Sequence, residues 1–357
     1  MIQGKGKNLK ATVLLLVIAF GCLIVASLVW GRTLTYDSGT ALKAVVQACG
    51  FDQGVERTTQ FILELRLWRV LTAAGVGAAL AYSGALLQGV FRNGLAAPSV
   101  IGVTAGASLG AALTIMYLGG FMPSSPFAAG MQSSSFAILF ASFIGSFGSV
   151  FLVVILASER GRISVPSLLL TGIAVNACIA GLLSATQAYA LQDYEISRAI
   201  FSWTFGNLDD KTGVHVVLIW SAVGLGAMAI PRLATELDLF AGGEDDARSL
   251  GVPTGKTKFL AISIASLVAA TAVAVAGQIV FVGLVVPHIV RLVFGAKHQF
   301  VLPLSIVCGA VFLAGAECIQ VAWLKDSALR PGVLMSLVGG PFFLMLLVKK
   351  KGALQSW

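Results

Sequence analysis

The run Gly251-Val252-Pro253-Thr254-Gly255-Lys256-Thr257 places a lysine and a threonine behind two glycines, residue types that cradle phosphate in nucleotide-hydrolysing loops. The spacing is one residue short of G-x-x-x-x-G-K-[ST], Leu250 stands where the first glycine belongs, and no strand signal precedes it. A phosphate loop needs strand, turn and following helix together. Here the following segment is strongly apolar, so the chain is not expected to hydrolyse ATP itself. His215, His288 and His298 are spread over different loops and sides. Cys22, Cys49, Cys178, Cys308 and Cys318 show no C-x-x-C spacing. Neither a metal site, a cofactor nor a disulfide framework is expected from them. Just upstream, Glu244-Asp245-Asp246-Ala247-Arg248-Ser249-Leu250 followed by Gly251 reads as a two-turn helix with acids first, a base near its end and glycine as the stop. Isolated helices shorter than about 12 residues are marginal in water, so this one must dock against its own domain, a partner, or both.

The rest of the chain decides what such a helix could serve. Of 357 residues, 57% are apolar and 11% charged, with mean hydropathy +0.91; soluble domains carry about 25% charged residues. The composition is that of a polytopic membrane protein in contact with lipid. The formal charge of +8 comes without a basic run interleaved with aromatics, which argues against nucleic acid. Apolar runs able to cross a hydrocarbon core of about 30 Å fall at 11–30, 70–91, 99–118, 136–157, 165–190, 212–231, 259–276, 279–294, 301–323 and 332–348. The stretch 259–294 reads as two short spans broken at Gly277-Gln278, because both termini are lysine-rich and the positive-inside rule demands an even count. The first run, behind Lys5, Lys7 and Lys10, is long enough to span and no small-residue cleavage site closes it, so it is expected to stay as an anchor.

With ten spans, the cytoplasmic segments hold Lys5, Lys7, Lys10, Arg92, Arg160, Arg162, Arg232, Arg248, Lys256, Lys258, Arg291, Lys297 and Lys349 to Lys351, which is 15 of the 24 Lys and Arg. Both termini and the Pro231–Lys258 interval are thereby placed in the cytoplasm. Outside, Gly31 to Leu65 leaves room for a surface helix around Ala41 to Val46, and Leu191 to Lys211 carries Trp203 and Phe205 toward the interface. Small residues recur four apart inside spans, at Gly77, Ala81 and Ala85, at Gly102, Gly106 and Gly110, and at Gly172, Asn176 and Ala180. Such spacing lets helix backbones approach closely. Among ionisable residues at membrane depth, Glu317 is expected to pair with Lys325, to stabilise a dimer, to snorkel or to make an internal hydrogen bond, and Pro287 to kink the eighth span.

Longer strings carry more. Arg66-Leu67-Trp68-Arg69-Val70-Leu71, Ser83-Gly84-Ala85-Leu86-Leu87-Gln88-Gly89, Arg92-Asn93-Gly94-Leu95-Ala96-Ala97-Pro98 and Ile101-Gly102-Val103-Thr104-Ala105-Gly106-Ala107 follow one another in the first third. Gly242 to Val252, Gly283 to Leu292 and Gly332-Val333 through Gly339-Gly340-Pro341-Phe342-Phe343 continue the series. In this order they resemble the FecCD family, membrane permeases of ABC importers for iron-siderophore, haem and vitamin B12. The resemblance implies an all-α fold of about ten transmembrane helices, of the vitamin B12 (type II) importer kind, in one domain spanning residues 1–357. It further implies a homodimer in a bacterial inner membrane, bound by two cytoplasmic ATPases and visited by an external substrate-binding protein.

Residue roles come with the resemblance. Glu244, Asp245, Ala247, Arg248, Leu250 and Gly251 would contact the ATPase as a coupling helix. Asn93 and Leu95, with Ser164, Val165 and Pro166, would meet their dimer mates at a cytoplasmic gate. Thr171, Asn176, Ser184, Thr186 and Gln187 on the fifth span would line the pathway. Arg66 and Arg69, three residues apart and so on one helix face, would meet acids of the binding protein, with Trp68 anchoring at the interface. The third basic position of some relatives is out of register here, Val321 standing in its place, with Lys325 and Arg330 nearby and Arg330 the further docking candidate. A lining with scattered polar groups and no charge suits a preassembled chelate, since a bare metal ion needs fixed ligands. An iron chelate is the favoured cargo and cobalamin the alternative. A membrane enzyme or ion-coupled transporter would need convergent acids or histidines inside the bundle, and these are sparse in the sequence.

Overall fold

A single 35-residue helix, Arg57–Phe91 (α3), runs through the middle of the molecule and is buried along nearly its whole apolar length. At about 1.5 Å per residue it reaches about 52 Å, well beyond a hydrocarbon core of about 30 Å. Its sequence is apolar on every side with no proline, the pattern of a helix enclosed by others. A computed structural model of the chain describes residues 3–31, 35–48, 54–119, 131–159, 162–209, 211–324 and 330–349.

Around α3 stand Gln3–Val29 (α1), Gly213–Ala227 (α8), Thr254–Ala276 (α11), Val282–Phe294 (α12) and His298–Trp323 (α13). The contact with α13 is backbone to backbone: a side chain on Gly77 would strike the carbonyl of Gly309, and one on Gly309 would strike that of Gly77. One turn pair further along, Gly84 lies against the backbone of Gly283 in α12. The polar groups of α3 are answered internally. Tyr82 Oη donates to the Gly226 carbonyl at 2.7 Å and Ser83 Oγ to that of Ala265 at 2.7 Å.

A second layer comprises Val103–Leu118 (α4), Met131–Ala157 (α5) and Val165–Ala190 (α6). Gly106 and Gly110 of α4 seat on Gly145 and Ala141 of α5, and Gly172 of α6 on the carbonyl of Val100. All three expected small-residue rows therefore include at least one close helix approach. A 3-10 turn, Pro98–Ile101, precedes α4 and ends at Gly102 with φ 97°, where an L side chain is disfavoured. Residues 158–159 and 162–163 form a short antiparallel pair in an otherwise helical chain.

The helices map onto the ten expected spans. Among the described residues six are long and apolar enough to cross a membrane, α8 and Ile230–Phe240 (α9) pass the same test only as a pair, bent by 56° between them, and α4, α12 and Pro331–Met345 within the last helix are shorter apolar helices. The break at Gly277 is real: α11 stops at Ala276, Gly277 has φ 74°, and α12 begins after Phe281, whose φ of 67° is rare for a bulky residue. Pro287 lies within α12, which continues as one helix to Phe294. The expected outer surface helix is Ser38–Ala48 (α2), with Ala41 and Ala44 packed beside Leu28 and Leu63. Tyr194–Thr204 (α7), whose start is capped by Asp193, carries Trp203 buried and Phe205 just beyond it exposed. Cys49, Arg160, Lys325, Lys350 and Lys351 lie outside the described residues.

Candidate functional site

At the lysine-rich end, the short helix forms as expected: Glu244–Ser249 (α10), followed by Gly251 at φ 87°. Its would-be phosphate loop is no loop, since Thr254, Lys256 and Thr257 already belong to the first turn of α11. The helix is seated by one residue. Ala247 is fully buried and packs with Phe240 at the end of α9 and Val252 before α11. A surface helix of two turns needs an apolar contact with its own domain, and Ala247, named among the residues that would meet the ATPase, makes that contact. Asp245, Arg248, Leu250 and Gly251 are exposed, with Leu250 at 67%, and Glu244 is half-buried.

Polar contacts fix this helix from both ends. Glu244 Oε2 lies 2.5 Å from Lys258 Nζ, and Arg248 Nη2 lies 3.4 Å from both Glu244 Oε1 and Thr254 Oγ1. Beside it, Thr257 Oγ1 donates to Glu236 Oε2 at 2.8 Å, while Asp238 Oδ1 accepts the His298 backbone N–H at 2.7 Å and lies 2.8 Å from its ring Nδ1. The acids Glu236 and Asp238 and the pairing of Lys258 do not stand out in the sequence. The one available signal is a lysine on the same helix face as buried Ala261 and Ile262. Nearby, Gln88 Nε2 donates to the Gly283 carbonyl at 3.3 Å and its Oε1 meets the Arg291 guanidinium.

The residues expected at a gate occupy two separate helix ends. Asn93 and Leu95 lie in the exposed turn after α3, where Asn93 Oδ1 accepts the Leu95 N–H at 2.9 Å. Ser164 caps α6 by accepting the Ser167 N–H at 3.2 Å, with Val165 and Pro166 opening the helix. On α6 the lining set divides. Ser184 is exposed and Thr171 and Gln187 are half-buried. Asn176 instead donates to the carbonyls of Ser99 and Val100 at 3.0 and 3.2 Å, and Thr186 is buried with its hydroxyl on the Leu182 carbonyl. Within one chain Asn176 therefore ties α6 to the Pro98–Ile101 turn, while the Thr186 bond stays inside α6. The open face of α6 carries Leu170, Ile173, Cys178, Leu182, Ser184 and Tyr189, without a charge anywhere on the helix.

At the opposite end Arg66 and Arg69, expected to meet acids of a binding protein, are 6% and 9% exposed within this chain. Arg66 Nη1 donates to the Leu28 carbonyl at the end of α1 at 2.7 Å, and its guanidinium lies 5.0 Å from the Tyr36 ring centroid. Arg69 lies 3.4 Å from Glu317 on α13 and 3.4 Å from Asp209. Arg330 reaches the same Asp209 at 3.7 Å and donates to Ser202 Oγ at 3.0 Å. Glu317, 1% exposed, is thus an internal partner of Arg69. Trp68 lies beside Gly213 at the start of α8. Asp209, which no motif in the sequence marks, joins two of the three proposed docking arginines.

A bundle of apolar helices with a polar helix riding on one end and a charge network closing the other is the architecture of an integral membrane transport subunit. The chain belongs to the FecCD transport family, whose sequence profile matches residues 11–349. Its relatives include the cobalamin import system permease protein BtuC of Halobacterium salinarum, 37% identical over 85% of this chain and 78% of that protein. The hemin transport system permease protein HmuU of Yersinia pestis is 33% identical over 81% and 83%. The Fe(3+) dicitrate transport system permease protein FecD of Escherichia coli is 34% identical over 81% and 86%. A solved structure described as an inward-facing ABC transporter of metal-chelate type superposes with a TM-score of 0.78 at 27% identity, covering 95% of this chain and 99% of that one. The fold is therefore that of an ABC importer permease, a multi-pass membrane protein of the vitamin B12 type.

Proposed function

We propose that the chain is the permease subunit of an ATP-binding-cassette importer that moves an iron chelate, siderophore-bound iron or haem, into the cytoplasm by alternating access. The observation that carries the reading is α10. Its outward face presents Asp245 and Arg248 to solvent, with Leu250 and Gly251 exposed just after it, while Ala247 is its apolar root in the chain. A surface helix so placed suits the cleft of a separate ATPase that does the hydrolysis. Two permeases would pair in the inner membrane with both termini cytoplasmic, and Asn93, Leu95, Ser164, Val165 and Pro166 would close the pathway at that side.

Cargo follows from the pathway surface. Leu170, Ile173, Ser184 and Tyr189 on the open face of α6 offer contact without charge or metal ligands, which fits a preassembled chelate. Cobalamin is the second reading, favoured by the 37% identity to a cobalamin permease. An ion-coupled transporter is less well supported, because Glu317, the buried acid of α13, is neutralised by Arg69. Uptake of labelled ferric siderophore, haem and cobalamin by a deletion strain carrying this chain tests the assignment. ATP-dependent iron-chelate uptake is expected, and uptake of cobalamin alone would overturn the iron reading.

The binding protein would dock at the outer ends of α3 and the last helix, Pro331–Lys349 (α14). Arg330 is the more accessible of the three candidate arginines, Arg66 and Arg69 being buried beneath it. Charge of this kind steers encounter and sets orientation. Arg330→Glu should slow association of loaded binding protein most at low ionic strength, and unchanged association rates at low salt would remove Arg330 from the set.

A further inference from the structure

Resting on the reading of α10 as the ATPase-facing helix, we propose that Lys258 is the positioning residue that joins α10 to the transmembrane bundle. Its ion pair with Glu244 turns movement of the surface helix into movement of α11. The apolar seat of α10 is a single methyl group, that of Ala247 between Phe240 and Val252. A helix held at one such point can pivot about it, and a push on its outer face would be dissipated. Two polar ties remove that freedom. Glu244, at the start of α10, meets Lys258, and Arg248, near its end, meets Thr254, so both ends are bound to the first two turns of one helix, α11.

Burial sets the strength of the first tie. Lys258 is 4% exposed, with Nζ 2.5 Å from Glu244 Oε2. An ammonium in that position is costly without its partner, so the pair stays closed as α10 moves. Neighbouring contacts spread the motion. Thr257 is hydrogen-bonded to Glu236 of α9, and Asp238 of α9 holds the first residue of α13, His298, through both backbone and ring. The α9–α10 segment is thus pinned to α11 and α13, two of the helices packed along α3. Lys256, two residues before Lys258 and exposed, makes no such link in the geometry described and serves as the control.

The test uses the full transporter, the permease assembled with its ATPases and binding protein in proteoliposomes, and reads chelate transported per ATP hydrolysed. Lys258→Met is expected to assemble with the ATPase and to lower that ratio by about fivefold or more, the low end of ordinary allosteric coupling. Lys258→Arg should recover most of the ratio, and Lys256→Met should leave it within about twofold, since exposed charges contribute little. An unchanged ratio in Lys258→Met, or an equal loss in Lys256→Met, overturns the proposal. If Lys258→Met is not recovered folded, Glu244→Gln removes only the charge at the outer end of the pair; the same loss is expected of it, and an unchanged ratio there overturns the proposal equally. Failure of the underlying reading looks different: the unaltered complex would then show no ATP-dependent uptake of any chelate.

Discussion

At the scale of single residues, the outer charge network makes the sharpest demand. Arg69 and Glu317 are both buried and lie 3.4 Å apart, so removing one leaves the other charged in a low-dielectric site, a loss of about 3–5 kcal/mol. Glu317→Leu should therefore lower the thermal unfolding midpoint in detergent strongly. Combining it with Arg69→Leu should recover part of the loss, because a buried pair replaced by apolar groups is often neutral. A double variant as unstable as the sum of the single ones would show that the two do not interact. Residue types here were legible in the sequence but partners were not. Arg66 and Arg69 lie on one helix face, as three-residue spacing requires. That spacing could not reveal that the Leu28 carbonyl, Asp209 and Glu317 converge on them from three other elements. Glu244 and Gly251 were legible for the opposite reason, since capping and helix-stop chemistry is local.

At the scale of elements, the close seams between helices set the tolerance of the fold. Gly77 and Gly309 face each other backbone to backbone, so Gly309→Val forces α3 and α13 apart. Overpacking typically costs about 1–3 kcal/mol, and a seam of carbonyls without flexible side chains should fall at the upper end. Gly340, with open space around its Cα, should accept the same change with little effect on the unfolding midpoint, so equal destabilisation at both sites would contradict the seam. The spans themselves were readable because the bilayer demands unbroken apolar runs of a set length. The 277–281 break was readable from charge parity and Gly277. The helix α9 was not, because Arg232, Glu236 and Asp238 make it look like loop, whereas the structure spends the two acids on Thr257 and His298.

At the scale of the whole molecule, the proposed homodimer would bring the turn after α3 and the start of α6 into contact across its axis. Cysteines at Asn93 or Val165 should then form an intersubunit disulfide in one nucleotide state and not in another. Bridging needs Cα atoms within about 7 Å, and failure to crosslink in every state would move the gate elsewhere. The peripheral position of α1 bears on how such a molecule is made. Its apolar length is mostly unburied, yet its end is clasped by Arg66, 38 residues later, and its Leu23 carbonyl accepts from Cys318, 295 residues later. At ordinary synthesis rates of about 5–20 residues per second, roughly 15–60 s separate those two partners in translation. For that interval α1 can be held by α2 and by Arg66 of α3 but lacks its contact with α13. The side of α1 that faces α13 is therefore seated long after the side that faces α2 and α3, and slow or paused translation of α13 would prolong the time in which it is open to the wrong neighbour.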